Sequence, residues 1–264
     1  MSQEHSLSLD GMTAVVTGSS SGIGRAIALA LASSGANTLI HARQNRQGAE
    51  EVAALVRDGG RESEVLLADL ADPSGHAGFV ERAWKWRGAV DIWVNNAGAD
   101  VLTGEAAGLS FERKLELLWR VDVAATIGLS RTVGERMKAR GSGAIINIGW
   151  DQVEVGMAGD SGQLFTAVKG AVTAFTRSLA QTLAPQVRVN CVAPGWIKTK
   201  WGQGASGDWQ DRAIGESLLA RWGTPADMAA AVCFLASPAA SFITAQTICV
   251  NGGFKTSSQP RDVT

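Results

Sequence analysis

The run Thr17-Gly18-Ser19-Ser20-Ser21-Gly22-Ile23-Gly24 carries the clearest chemical signal in the chain. It follows a short stretch rich in β-branched residues and opens a stretch of small and apolar ones. Gly18 permits a sharp turn with unusual dihedrals. Gly22 and Gly24 let backbone approach a ligand and let a helix approach a sheet. The first turn of that helix, around Ile23, offers unpaired N–H groups and a positive dipole end. With the hydroxyls of Ser20 and Ser21 added, the arrangement suits a pyrophosphate. A glycine-rich turn can also serve tight packing alone. Three glycines at this spacing, followed by Arg25-Ala26-Ile27-Ala28, favour the phosphate reading. A second cluster, Phe165-Thr166-Ala167-Val168-Lys169, sets a ring and an ammonium four residues apart on one helix face.

These groups need a frame. Short apolar runs at 12–17, 37–41, 63–68, 91–95, 144–148, 187–192 and 247–250 read as strands. Helical patterns lie between them at 22–34, 47–58, 74–87, 110–139, 162–183 and 225–236. Strand and helix alternating over the whole length imply a parallel sheet covered on both faces. Right-handed crossovers make it a doubly wound α/β fold of about seven strands. No repeat or linker divides the chain, so one domain over 1–264 is expected, with a core at 9–254 and a loose polar tail at 255–264.

Composition narrows the function. Hydrophobic residues make up 45% and charged ones 19%, which excludes disorder as the main state. Lys+Arg is 24 against Asp+Glu 25, so nothing favours a nucleic-acid partner. The uncharged run from Met228 to Phe254 is broken by Pro238, Asn251 and glycines, so no membrane span is expected. The N-terminal ten residues lack a signal pattern. The cysteines, Cys191, Cys233 and Cys249, match neither a disulfide framework nor a metal site. A cytoplasmic protein without a metal is expected. Nine tryptophans and no tyrosine complete the picture, and the missing tyrosine matters below.

The chain resembles the short-chain dehydrogenase/reductase family from about Leu9 to Phe254. The marks are Thr17-Gly18-x-x-x-Gly22-x-Gly24, Asp69-Leu70, Asn95-Asn96-Ala97-Gly98, Lys169, Pro194-Gly195 with Ile197 and Thr199, and Val250-Asn251-Gly252-Gly253. The resemblance implies a Rossmann fold and an NAD(H) or NADP(H) cofactor lying across the carboxyl ends of the strands. It places Asp69 and Leu70 at the adenine and Asn96, Ala97 and Gly98 at the adenosine ribose. Lys169 would bind the nicotinamide ribose, and Pro194, Gly195, Ile197 and Thr199 the carboxamide. It also implies a small-molecule substrate and a homodimer or homotetramer joined through helices 110–139 and 162–183, where Gly170, Ala171 and Ala174 allow close contact. The end of the second strand, Ile40-His41-Ala42-Arg43-Gln44-Asn45-Arg46, holds no acid for a free ribose. Arg43 could meet a 2′-phosphate there, which favours NADP(H). A solvated surface arginine is the alternative, and His41 reads as a satisfied strand-end residue.

The resemblance fails where the family works on its substrate. That family uses asparagine, serine, tyrosine and lysine. Here Asp122 replaces the asparagine, Trp150 (or Gln152 in a second alignment) the serine, and Phe165 the tyrosine. Lys169 alone is kept. A positioned general acid contributes about 10²–10⁴ in rate, roughly 3–5 kcal/mol, so weak carbonyl reduction is expected. Lys169 and Asp122 are the candidate catalytic residues, and Asp122 reads as the counter-ion of Lys169 ahead of a proton donor. Asp151, Glu154 and Asp160 are candidate replacement acids. Ser161 and Thr166 offer hydroxyls, although Thr166 points about 100° from the face of Phe165 and Lys169. Trp150, Trp196, Trp201 and Trp209 lie where the family binds substrate, and the glycine-spaced stretch from Lys200 to Trp209 suits a mobile lid. Either these aromatics build an apolar pocket, or Trp150 and Phe165 plug the cleft. Two functions remain open: an oxidoreductase with a rearranged site, or an inactive nucleotide-binding homologue acting as sensor or partner subunit.

Overall fold

The structure, a computed structural model, describes residues 6–255; most of the expected tail, 256–264, lies outside the described residues. Seven strands form one sheet: β1 (Thr13–Val16), β2 (Asn37–Ala42), β3 (Ser63–Leu67), β4 (Ile92–Asn95), β5 (Gly143–Ile148), β6 (Val187–Pro194) and β7 (Thr247–Val250). Their order is β3-β2-β1-β4-β5-β6-β7, and every pairing is parallel. The expected doubly wound α/β fold is therefore present. The strand segments read from the sequence match these to within two residues at each end.

Side chains alternate between the faces of a strand, and here both faces are buried. Val16, Ile40, Val94 and Ile146 point to one face, covered by α1 (Gly22–Ser33), α2 (Arg46–Asp58) and α9 (Pro225–Ala236). Val15, Leu39, Trp93 and Ile145 point to the other, covered by α3 (His76–Arg87), α5 (Ala125–Arg140) and α6 (Asp160–Leu183). After β3 the chain crosses back and re-enters the sheet on the far side of β1 as β4. The strand ends therefore open a crevice between β1 and β4, the place where such sheets bind ligands.

Two segments differ from the sequence reading. The helix expected over 110–139 is α4 (Phe111–Leu118), a π-helical turn (Trp119–Ala124) and then α5. The wider turn carries Asp122 into the interior, where it is 2% exposed. The glycine-spaced stretch expected to be a mobile lid forms α7 (Lys200–Gly204) and the start of α8 (Gly207–Glu216). Glycine disfavours helix by about 1 kcal/mol per residue. Packing overrides that here, because Glu216 at the end of α8 accepts the Trp196 indole N–H at 2.7 Å. Among the described residues, no helix is long and apolar enough to cross a membrane.

Beneath the strand ends lies a buried polar chain. The Trp93 indole N–H donates to Asn95 Oδ1 at 2.8 Å. Asn95 Nδ2 donates to Ser130 Oγ at 2.7 Å and Asn147 Oδ1 at 2.8 Å. Asn147 Nδ2 donates to Thr176 Oγ1 at 2.9 Å, which donates onward to Val172 O at 2.8 Å. The chain ties β4, β5, α5 and α6 together at the depth where the site begins. Asn147→Ala leaves buried partners unmatched and is expected to lower unfolding free energy by about 1–3 kcal/mol. Urea denaturation followed by tryptophan fluorescence reads the change, and an unaltered midpoint would show that the chain of bonds adds nothing.

Candidate functional site

Two chambers open side by side at the carboxyl ends of the strands and share Ile23 in their walls. The first encloses about 780 Å³ beside the β1–α1 turn. Gly18 there adopts φ +64°, and a Cβ on it would lie 2.8 Å from Ala97 Cα. A Cβ on Gly24 would strike Gly18 O and Asn96 Nδ2. Both positions thus exclude a side chain, as a turn pressed against the β4 end requires.

Side chains hold that turn. Thr17 Oγ1 donates to Val94 O at 3.2 Å and accepts the N–H groups of Asn96 and Ala97 at 2.9 and 3.0 Å. Asn96 Nδ2 donates to Thr17 O at 2.9 Å and Gly18 O at 3.1 Å. His41, 2% exposed, accepts the Gly18 N–H on Nδ1 at 2.9 Å. Its Nε2 therefore carries the ring proton and donates to Ala68 O at 3.0 Å. Burial pushes its pKa down to about 4, against smaller opposing contributions from the Ala68 carbonyl and the Asp69 carboxylate. At the N-terminus of α1, Ser21 makes no side-chain cap. The first amides of the helix are left to solvent or to an anion.

The second chamber encloses about 480 Å³. Trp150 follows β5, Phe165 and Lys169 face inward from α6, Trp196 follows β6, and Trp209 comes from α8. The Trp150 and Phe165 rings meet edge to face with centroids 6.1 Å apart. Lys169 Nζ lies 2.9 Å from Asp122 Oδ1 and donates to Ile148 O at 3.1 Å. Asp122 Oδ2 accepts the Ala99 N–H at 2.9 Å.

The site residues expected from sequence divide between the chambers. Gly18, Ser20, Ser21, Ile23, Arg43, Asp69, Leu70, Asn96, Ala97 and Gly98 line the first, and Gly22 begins the helix beside it. Trp150, Phe165, Lys169, Pro194, Gly195, Ile197 and Thr199 line the second. Asp122 lies behind Lys169 and lines neither. Of the suggested replacement acids, none lines the second chamber: Glu154 and Asp160 are exposed, and Asp151 faces Asn251, whose Nδ2 it accepts at 3.0 Å. Burial pushes the Asp151 carboxyl above its ordinary range. Ser161 lines this chamber; Thr166 does not, and its hydroxyl is buried without a hydrogen-bond partner. The side chain of Trp201 lies outside the described residues. The sequence reading named Thr17 in the glycine run but missed the role of its hydroxyl, which joins β1 to β4. It also missed Arg212 and Glu216, which the i,i+4 spacing on a helix beside two tryptophans could have flagged.

A family model described as enoyl-(acyl carrier protein) reductase matches residues 18–255. A short-chain type dehydrogenase/reductase from Picea abies is 35% identical over 253 residues, covering 93% of each chain. A Beutenbergia cavernae structure, described as an NAD(P)-dependent gluconate 5-dehydrogenase with bound NADP, is 39% identical. It superposes with a TM-score of 0.83, covering 93% of this chain and 97% of that one. A 7α-hydroxysteroid dehydrogenase with NADH and a 7-oxo bile acid is 27% identical, with a TM-score of 0.86 over 96% and 98% of the two chains. The chain belongs to the short-chain dehydrogenase/reductase family of oxidoreductases.

His41 makes a stability prediction with a definite sign. Its folded pKa, about 4, lies below its ordinary 6.5, so the unfolded chain takes the proton first. Stability from this residue is complete above about pH 6.5 and is lost as pH falls toward 4, by up to about 3 kcal/mol. Asp151, raised on folding, acts in the opposite sense, so the difference between the native chain and His41→Gln is the measure. Unfolding midpoints between pH 7 and pH 4 are expected to fall less steeply in the variant.

Proposed function

We propose that the two chambers together take an NADP(H) molecule and that the protein is an oxidoreductase whose substrate side has been rebuilt. The observation that carries this is the join itself. An uncapped α1 N-terminus and a side-chain-free turn lie at one chamber, and Lys169 and the Pro194–Thr199 segment at the next, with Ile23 common to both. The cradle at Gly18 and Gly24 and the open amides fit a pyrophosphate. Ser20, Ser21, Gly22 and Ile23 would hold it, Asp69 and Leu70 the adenine, and Asn96, Ala97 and Gly98 the ribose. Pro194, Gly195, Ile197 and Thr199 would hold the carboxamide. A bound nicotinamide supplies hydride transfer.

This chain's own contribution beyond binding is narrow. Lys169 would hold the nicotinamide ribose hydroxyls, and Asp122 fixes the ammonium that does so. Among the described residues that line the second chamber, none is Tyr, His, Asp, Glu or Cys. Proton delivery therefore falls to Lys169, to water, or to a substrate that needs none. That feature also supports the second reading, a nucleotide-binding homologue without turnover. Cofactor oxidation over aldehydes, ketones and quinones separates the two, since tight binding without turnover favours the second. The protein is read as cytoplasmic and as a homodimer or homotetramer, with Ala174 exposed on α6 beside half-buried Gly170 and Ala171.

Two outcomes are expected. Arg43 lies exposed at the mouth of the first chamber with no ion pair among the described residues. A charge-assisted bond to a 2′-phosphate is worth roughly 1.5–3 kcal/mol. Arg43→Ala should then weaken NADPH binding by about 10- to 100-fold in calorimetry and leave NADH nearly unchanged. Second, Phe165→Tyr combined with Trp150→Ser should raise carbonyl reduction well above the native chain. A double variant that binds cofactor yet stays inert would show that these two positions do not hold the missing proton donor and its partner.

A further inference from the structure

The second chamber is walled by rings from four separate segments. Trp150, Phe165, Trp196 and Trp209 come from the end of β5, α6, the segment after β6, and α8. Among the described residues the one charged side chain in its lining, Lys169, is already paired with Asp122 and with Ile148 O. Ser161 and Thr199 supply the only side-chain hydroxyls among them. A polyol or sugar acid would leave several hydroxyls unmatched in such a space and would find no unpaired cation for its carboxylate. A flat apolar ring loses little on leaving water and gains contact against the aromatic faces.

The wall is also held still. The Trp196 indole N–H donates to Glu216 Oε2 at 2.7 Å. Glu216 Oε1 pairs with Arg212 Nε at 2.7 Å. The Arg212 guanidinium lies over both indoles, 5.6 Å from the Trp196 centroid and 5.1 Å from that of Trp209. Trp222, 7% exposed, meets Trp196 edge to face at 6.2 Å. The carboxylate, the guanidinium and a buried ring thus fix one indole from three directions. A ligand then pays little ordering cost to use it.

We propose that this chamber is a binding site for a flat, uncharged aromatic carbonyl compound, and that Arg212 and Glu216 are positioning residues that hold its indole wall. The proposal rests on the reading above for the carbonyl group and for calling the compound the substrate; the flat, uncharged ring rests on the lining alone. It separates this chain from its gluconate-dehydrogenase neighbour, whose ligand class the lining does not suit.

The test is calorimetry on the full chain with three probes: 2-naphthaldehyde, D-gluconate, and 2′,5′-ADP, which reports on the first chamber alone. 2-Naphthaldehyde should bind and gluconate should not. Glu216→Ala and Arg212→Met should weaken 2-naphthaldehyde by about tenfold or more while 2′,5′-ADP binds as before, which certifies the fold. Glu216→Gln, which keeps an acceptor for the Trp196 N–H, should restore most of the affinity. Gluconate binding as tightly as 2-naphthaldehyde overturns the proposal. So does an absence of 2-naphthaldehyde binding in a chain that takes 2′,5′-ADP, which would mean that Trp150 and Phe165 plug the chamber. Full affinity in Glu216→Ala overturns the role of the clamp. Binding of 2-naphthaldehyde without any of 2′,5′-ADP would support the ring site and overturn the cofactor reading instead.

Discussion

The ion pair between Lys169 and Asp122 is the joint on which the rest of the site turns. Its oxygens and ammonium reach four segments: α6 through Lys169, the π-helical turn through Asp122, the end of β5 through Ile148 O, and the stretch after β4 through the Ala99 N–H. Asp122 is 2% exposed, and the Lys169 side chain 13%. Removing one member of such a pair strands a charge away from water, at a cost of about 3–5 kcal/mol. The pair therefore resists change more strongly than either residue would alone. It also determines what Lys169 can do. An ammonium held by a carboxylate and a carbonyl has one N–H left to turn toward the chamber.

The two chambers differ in what they would offer a ligand. The first offers main chain: an uncapped helix start, a glycine turn and the segment after β4, braced by Thr17, Asn96 and His41. Main-chain recognition demands fixed geometry, and the bracing bonds supply it. The second offers side-chain surface, chiefly indole and phenyl. Surface of that kind is easily changed without disturbing the sheet, because Asn95, Asn147 and Thr176 hold the strand ends from below.

Much of this was legible in the sequence. Each strand is a short apolar run between turn residues, and both faces of the sheet are buried, so the runs stand out. The glycine turn was legible because Gly18 and Gly24 sit where only a missing Cβ fits. Phe165 and Lys169 share a chamber because four residues is close to one helical turn. The rest depended on contacts between distant segments. Nothing local marks Trp119–Ala124 as a π-helical turn, since the extra residue per turn is stabilised by what Asp122 meets in the fold. The glycines at 202, 204 and 207 suggested a mobile lid, and that the stretch is helical depends on distant contacts such as Trp196 to Glu216. Thr17 and His41 act through backbone atoms on neighbouring strands, which no pattern in their own vicinity announces.

The residues that tie the strand ends together and the residues that line the second chamber are separate sets. The Phe165 ring faces the second chamber and takes no part in the buried chain of bonds beneath it. Its edge-to-face contact with Trp150 is worth about 0.5–1.5 kcal/mol beyond area burial. Lys169 meets its counter-charge in Asp122 behind the chamber wall. What the second chamber can prefer is set by its rings, by the clamp behind them and by the absence, among the described residues, of a titratable neighbour for Lys169 in its lining.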